Sequence, residues 1–234
     1  MSKFFSKIII FSILLSIPVL GSGQTSQIDT TFQRLKFLEP AKTYNKKRFY
    51  AYAGATAAIY TGTILALDQI WYSQFEKSSF HTFNDVGEWE DMDKVGHLFS
   101  AYIESSANFE AALWTGIDRN KARWLGTSFG LLYQASFEVL DGYSAKWGFS
   151  WADIGFNTAG ALLFLGQDIA WQDQRIKLKV GSNRINYESF ILTSENGEAT
   201  TDIRTRAEDL YGGGLAARYI KDYNAQTLLS LIHI

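Results

Sequence analysis

The 234-residue chain contains no cysteine. That absence excludes disulfides, thiolate metal sites, a cysteine nucleophile and a cysteine-borne lipid within this sequence. Charge of either sign is also scarce in excess: 22 basic against 24 acidic residues leave a net −2. Without a basic patch, no nucleic-acid partner is expected. There is no phosphate-cradling glycine loop, Gly-x-Ser-x-Gly elbow, His-Glu-x-x-His pair or dinucleotide fingerprint. The run Gly212-Gly213-Gly214 follows no convincing strand and reads as a flexible turn. What is present is apolar: 47% hydrophobic and 15% aromatic residues are ample for a packed core.

The N-terminus has the pattern of an export signal. Lys3 and Lys7 precede the thirteen-residue apolar stretch Ile8–Leu20, followed by the small residues Gly21-Ser22-Gly23. Thirteen residues are too few to span a bilayer comfortably, and an uncleaved anchor helix is the alternative. The expected layout is a signal peptide at 1–23, a linker at 24–47, a helical domain at 48–171 and an extended tail at 172–228. Residues 229–234 can be encoded by CTG TCT CTT ATA CAC ATC, which resembles a transposon mosaic end used in sequencing libraries. We therefore expect the natural chain to continue differently past Leu228, an ordinary apolar terminus being the alternative.

The fold expected is mainly all-α: a bundle of about four apolar antiparallel helices with a short extended, β-containing C-terminal tail. Helices are predicted over Arg48–Tyr72, Met92–Gly116, Lys121–Leu140 and Trp151–Trp171, with short connections such as Ile117–Asn120. Gly126-x-x-x-Gly130 and the small residues Gly54, Ala55, Ala58 and Gly62 predict close helix contacts. In the tail, Ile176, Leu178 and Val180 alternate with Lys177, Lys179 and Gly181, a strand period, whereas Ser194–Arg206 reads as loop. Loop charges alternate in the manner of a four-span membrane protein. Glu104 and Glu110 would be awkward in lipid, and a cleaved signal would reverse the orientation those charges prefer. Export to the periplasm or a membrane-associated envelope site is the favoured placement, with an integral membrane protein as the alternative. A membrane or cell-wall component is the expected partner, and a protein partner stays open.

Three short polar sets interrupt the apolar helices. Asp93-Lys94-x-x-His97 opens the second helix, Glu138-x-x-Asp141 closes the third, and Asp153-x-x-x-Asn157 opens the fourth. Spacings of three and four place each set on one helical face. Buried polar groups are costly unless they satisfy one another, so one shared centre between the helices is expected. Ser150-x-x-Asp153 fits a helix start, and Asp91 or Asp93 can begin the second helix. Capping leaves Lys94, His97, Glu138, Asp141 and Asn157 unexplained. Glu138 and Asp141 sit where the helix dipole disfavours negative charge and so require a cation, a metal or a donor. His97, Glu138 and Asp141 are the candidate catalytic residues, and Lys94, Asp153 and Asn157 the candidate ligand-binding or structural centre. The competing readings are an ion pair tying the third helix to the second for Glu138 and Asp141, and a hydrogen-bonded structural group for His97. An oxygen/nitrogen metal site is one option, with the ion and any cofactor unspecified. In the aromatic, acidic loop 73–91, His81 is expected to be a surface or lid residue.

At these residues the chain resembles the YfiM-like family of predicted periplasmic lipoproteins, a domain of unknown function. Met92-Asp93-Lys94-Val95-Gly96-His97, Glu138-Val139-Leu140-Asp141 and Trp147–Gly160 carry the resemblance, over roughly 90–166. More distantly the order of motifs is similar to the VanZ-like membrane family. The resemblance implies an envelope location and a helical bundle, and supplies no substrate; the missing cysteine departs from the lipoprotein pattern. Two functions follow as expectations. One is an exported envelope protein whose polar centre serves binding or scaffolding. The other is an envelope lipid- or glycan-modifying enzyme using His97 with Glu138 and Asp141.

Overall fold

A computed structural model describes residues 39–182, 185–211 and 222–232. The signal pattern at 1–23, the linker as far as Leu38 and the Gly212–Gly214 turn lie outside the described residues. Most of what is described is helical: α1 (Lys46–Ala66), α2 (Met92–Trp114), α3 (Arg119–Gly142), α4 (Trp151–Trp171) and α5 (Ile203–Tyr211). Four short strands follow the helical region: β1 (Ile176–Ser182), β2 (Ile191–Thr193), β3 (Thr200–Asp202) and β4 (Gln226–Ile232). The described chain divides into two compact units, one holding the helical region to Leu178 together with residues 231–232, the other Lys179–Ser230.

In the first unit, α2, α3 and α4 pack against one another. Tyr102, Phe109 and Ala112 of α2, Ala122 of α3, and Phe164 and Leu165 of α4 form the apolar core, which Tyr52 of α1 joins. Glycines set the spacing of these helices. A Cβ on Gly126 would collide with the Ser105 carbonyl, on Gly130 with the Ser105 hydroxyl, and on Gly160 with the Leu98 carbonyl. The Gly126-x-x-x-Gly130 contact is thus made, between α3 and α2.

The corresponding expectation for α1 is not met. Gly54 and Gly62 face open space, and Tyr52 is the one buried residue of that helix. Polar links supplement its few apolar ones: Tyr52 donates to Asn108 Oδ1 (2.7 Å) and Tyr60 shares a hydrogen bond with Ser136 (2.6 Å). Rather than running on to Tyr72 as a regular helix, α1 loosens into a π-helical turn, Leu67–Trp71, and a 3₁₀ turn, Tyr72–Gln74. At the opposite end from the polar sets, Arg119 and Arg123 of α3 clamp the buried carboxylate of Asp168 on α4. Arg123 also reaches the Asp168 carbonyl (3.1 Å).

No described helix is long and apolar enough to cross a membrane. The inward faces of the helices carry Lys94, Asn108, Gln134, Glu138, Asp153, Asn157 and Gln167, which lowers their hydropathy below that of a span.

In the second unit β2 and β3 form an antiparallel hairpin pairing Ile191 with Asp202 and Thr193 with Thr200. Gly197 takes the positive φ (73°) its turn requires. Ser194–Arg206 is therefore not the loop expected. Asp202 accepts from the Thr205 amide (3.2 Å) and starts α5, a capping signal inside a polar stretch. β1 pairs with β4, so the alternating Ile176–Val180 pattern does form a strand.

Candidate functional site

The loop between α1 and α2 is zipped along residues 142–149. The His81 amide donates to the Gly142 carbonyl (3.0 Å), Phe149 to His81 (2.9 Å) and Phe83 to Phe149 (3.0 Å). Gly142 and Gly148 permit this approach: a Cβ on the first would enter the Phe80 ring, and on the second would lie 2.6 Å from Phe83 Cβ. The His81 ring bonds the Trp147 carbonyl (2.6 Å), so this histidine fastens the loop and is not a free lid. Fastening the loop delivers Asp85 to the ends of α2 and α4.

There it meets Lys94, whose side chain is 1% exposed. The ammonium lies 2.6 Å from Asp85 Oδ2, 2.7 Å from Asp153 Oδ1 and 3.1 Å from Asp93 Oδ2. Burial alone would favour the neutral amine, but these three carboxylates outweigh it and hold Lys94 above its ordinary value. Burial likewise acts to raise Asp85, and the bonds from Lys94 and Ser150 more than offset it, leaving Asp85 below the usual carboxylate range.

Ser150 joins the pieces. Its hydroxyl caps α4 by accepting from the Asp153 amide (3.1 Å) and donates to Asp85 Oδ1 (2.7 Å). Its own amide donates to Glu138 Oε2 (3.2 Å). Glu138 thus takes the place of the reciprocal acid in a capping box, which frees Asp153 for Lys94.

Beside this closed knot lies a second group around His97, whose side chain is 18% exposed. His97 Nδ1 is 3.1 Å from Asn157 Oδ1, so the ring donates there and turns Nε2 towards carboxylates. Nε2 is 3.6 Å from Glu138 Oε1, 3.7 Å from Asp153 Oδ2 and 3.9 Å from Asp93 Oδ1. These separations are too long for hydrogen bonds. Glu138 Oε1 is buried without a hydrogen-bond partner. Burial, with the charges of Asp153 and Asp141 adding to it, pushes Glu138 up to about 8. Burial also raises Asp153 despite its bond to Lys94.

Five of the six sequence-predicted residues therefore meet: Lys94, His97, Glu138, Asp153 and Asn157. Asp141 lies at their edge: its hydrogen bond comes from Tyr72 OH (2.8 Å), while its charge still interacts with His97 and Glu138. Burial pushes Asp141 up to about 6, against the lowering effect of that bond. Asp85 and Tyr72 were not among the predicted residues. A fully buried lysine needs more than one acid, and the acidic loop 73–91 is where a further one was available. Asp91 begins α2 at a positive φ (59°) without capping it; its carboxylate accepts from Gly87 instead (2.8 Å). Asp93, in the first turn, faces both Lys94 and His97. Asp93, His97 and Asp153 each offer a metal-ligand atom within 4.8 Å of the others.

Residues 81–165 match the family model described as "Predicted periplasmic lipoprotein (DUF2279)". The match covers the polar centre. It starts at His81 in the docked loop and ends within α4, taking in Asp85, Asp93, Lys94, His97, Glu138, Asp141, Ser150, Asp153 and Asn157. The YfiM-like and VanZ-like names receive no support from it. No curated protein and no solved structure matches the chain.

Proposed function

We propose that this is an exported cell-envelope protein that acts by binding, using the His97 side of its polar centre, on a membrane or cell-wall component. The observation that carries the reading is the division of that centre. Lys94, Asp85, Asp153 and Ser150 satisfy one another and close one half, whereas His97 and Glu138 face each other with binding capacity unused. Envelope location is supported by the description of the family matched at 81–165 and by the signal pattern at 1–23. The YfiM-like resemblance of the same motifs agrees with it.

The enzymatic alternative draws on a protonated Glu138 beside His97, a pair able to exchange a proton. Its third member is engaged elsewhere, since Asp141 is held by Tyr72. The apolar groove bounded by Phe49, Ile117, Trp124 and Leu125 includes no residue of the polar centre. Binding is therefore the better supported function.

Complementation tests it. In a strain deleted for the gene and stressed with detergent, His97→Gln and Glu138→Gln are expected to reach the envelope fraction, keep wild-type circular dichroism, and fail to restore growth. Full restoration by both folded variants would contradict a binding role for these residues.

A further inference from the structure

The three carboxylates around His97 share one feature: each has one oxygen engaged and the other turned towards Nε2. Asp93 gives Oδ2 to Lys94 and Oδ1 to the His97 side. Asp153 gives Oδ1 to Lys94 and Oδ2 to the His97 side. Glu138 gives Oε2 to the Ser150 amide and leaves Oε1, buried and without a partner, 3.6 Å from Nε2. With Nδ1 held on Asn157, the ring points Nε2 into these oxygens. Carboxyl oxygens gathered around one ring nitrogen favour a positive centre among them, a proton or a metal ion.

We infer that Asp93, His97, Glu138 and Asp153 form a binding site for a first-row divalent metal ion, with Asn157, Lys94 and Ser150 orienting the ligands. Resting on the binding role proposed above, this names the ligand class of the same site. One imidazole nitrogen with carboxylate oxygens, and no thiolate, suits zinc or manganese better than calcium or magnesium, which favour all-oxygen shells. Such ions hold their ligands at about 2.0–2.2 Å, so neighbouring ligand atoms stand roughly 3.0–3.6 Å apart. The 3.6–3.9 Å distances from Nε2 would contract by a few tenths of an ångström, Asp93 and Asp153 draw together from within 4.8 Å, and Glu138 swings in from beside that trio. Binding at the ligand oxygens leaves every supporting bond intact. Asn157 fixes the tautomer and ring plane in the way outer partners of metal-bound histidines do. Two observations separate this from an ordinary acidic cluster: the aimed, unpartnered carboxylate of Glu138, itself 1% exposed, and the oriented imidazole.

The experiment uses the full chain, stripped with chelator, dialysed and titrated with Zn²⁺, then with Mn²⁺, Ca²⁺ and Mg²⁺. One Zn²⁺ per chain is expected, bound at least 100-fold more tightly than Ca²⁺ or Mg²⁺. His97→Gln and Glu138→Gln should each weaken zinc at least 100-fold. Asn157→Leu, at a positioning residue, should weaken it about 10–100-fold. Glu188→Gln, at an exposed acid outside the helical unit, should leave it unchanged. If His97→Gln fails to fold, Glu138→Gln carries the comparison, because its amide oxygen still accepts from Ser150. Wild-type protein loaded with Co²⁺ gives a readout independent of variants: one paramagnetically shifted exchangeable proton resonance, from the His97 Nδ1–H. Absence of bound ion, or zinc binding that survives in both His97→Gln and Glu138→Gln, would overturn the site. Failed complementation without any zinc binding would remove the metal and leave the binding role. Zinc binding with full complementation by both variants would keep the metal site and remove the role.

Discussion

A carboxyl group buried without a cation keeps its proton, and Glu104 on α2 does so away from the polar centre. Burial pushes it up to about 8 although the Gln134 amide donates to it (2.8 Å), and the titratable neighbour Tyr133 is a neutral phenol whose ionisation Glu104 opposes. Below the unfolded value near 4.5 the proton is bound in both states, and the stabilisation relative to alkaline conditions is complete. As pH rises, the unfolded chain ionises first, and stability falls until the folded group also ionises near 8. Glu104→Gln lacks this titration. Urea unfolding at pH 5 and pH 9 should show wild type losing up to about 4 kcal/mol more than the variant. Parallel losses in the two proteins would show that Glu104 ionises freely.

Single residues also show where sequence reading succeeds and stops. Lys94, His97, Glu138, Asp153 and Asn157 could be found because helical spacing converts directly into shared faces. Asp85 was harder, since a loop residue has no periodicity to announce its direction. Asp141 shares the periodicity and a face with Glu138, yet a tyrosine from an irregular turn takes it. Helical phase carries no information about such a partner.

Among elements, α4 coincides with its predicted range, Trp151–Trp171, because its start has a serine cap and its content is largely apolar. The end of α1 was less legible: Leu67–Trp71 keeps a helical pattern while its backbone widens to a π turn. Small residues were a mixed guide. Gly126, Gly130 and Gly160 lie at helix contacts, but Gly54 and Gly62 do not, because a glycine permits approach without supplying the force for it. Gly160→Ala should therefore destabilise the protein by about 2 kcal/mol or more through the clash with Leu98, whereas Gly62→Ala in the exposed helix should stabilise it by about 0.5–1 kcal/mol. Thermal melts of the two variants moving in the same direction would contradict this packing. In the second unit, the Asp202 cap that starts α5 was hidden in a polar stretch that composition alone reads as loop.

Taken whole, the helical unit is built around polar groups at both ends of its helices, the Lys94 centre at one and the Arg119–Arg123–Asp168 clamp at the other. The mainly helical character and the β-containing C-terminal region were legible from periodicity. The lesser share of α1 in the core was not, since an Ala- and Gly-rich helix has little apolar bulk to show which face is buried.

The account assigns stability to the Lys94 half of the centre and binding to the His97–Glu138 half. Thermal unfolding of chelator-treated Lys94→Met and Glu138→Gln, side by side at pH 7, separates the halves most directly. Lys94→Met leaves Asp85, Asp93 and Asp153 without their cation and should cost about 3–5 kcal/mol. Glu138→Gln keeps the bond from Ser150 and removes a buried acid whose Oε1 has no hydrogen-bond partner, so its midpoint should equal or exceed that of wild type. Equal loss in both variants would contradict the division of the centre into a structural half and a binding half.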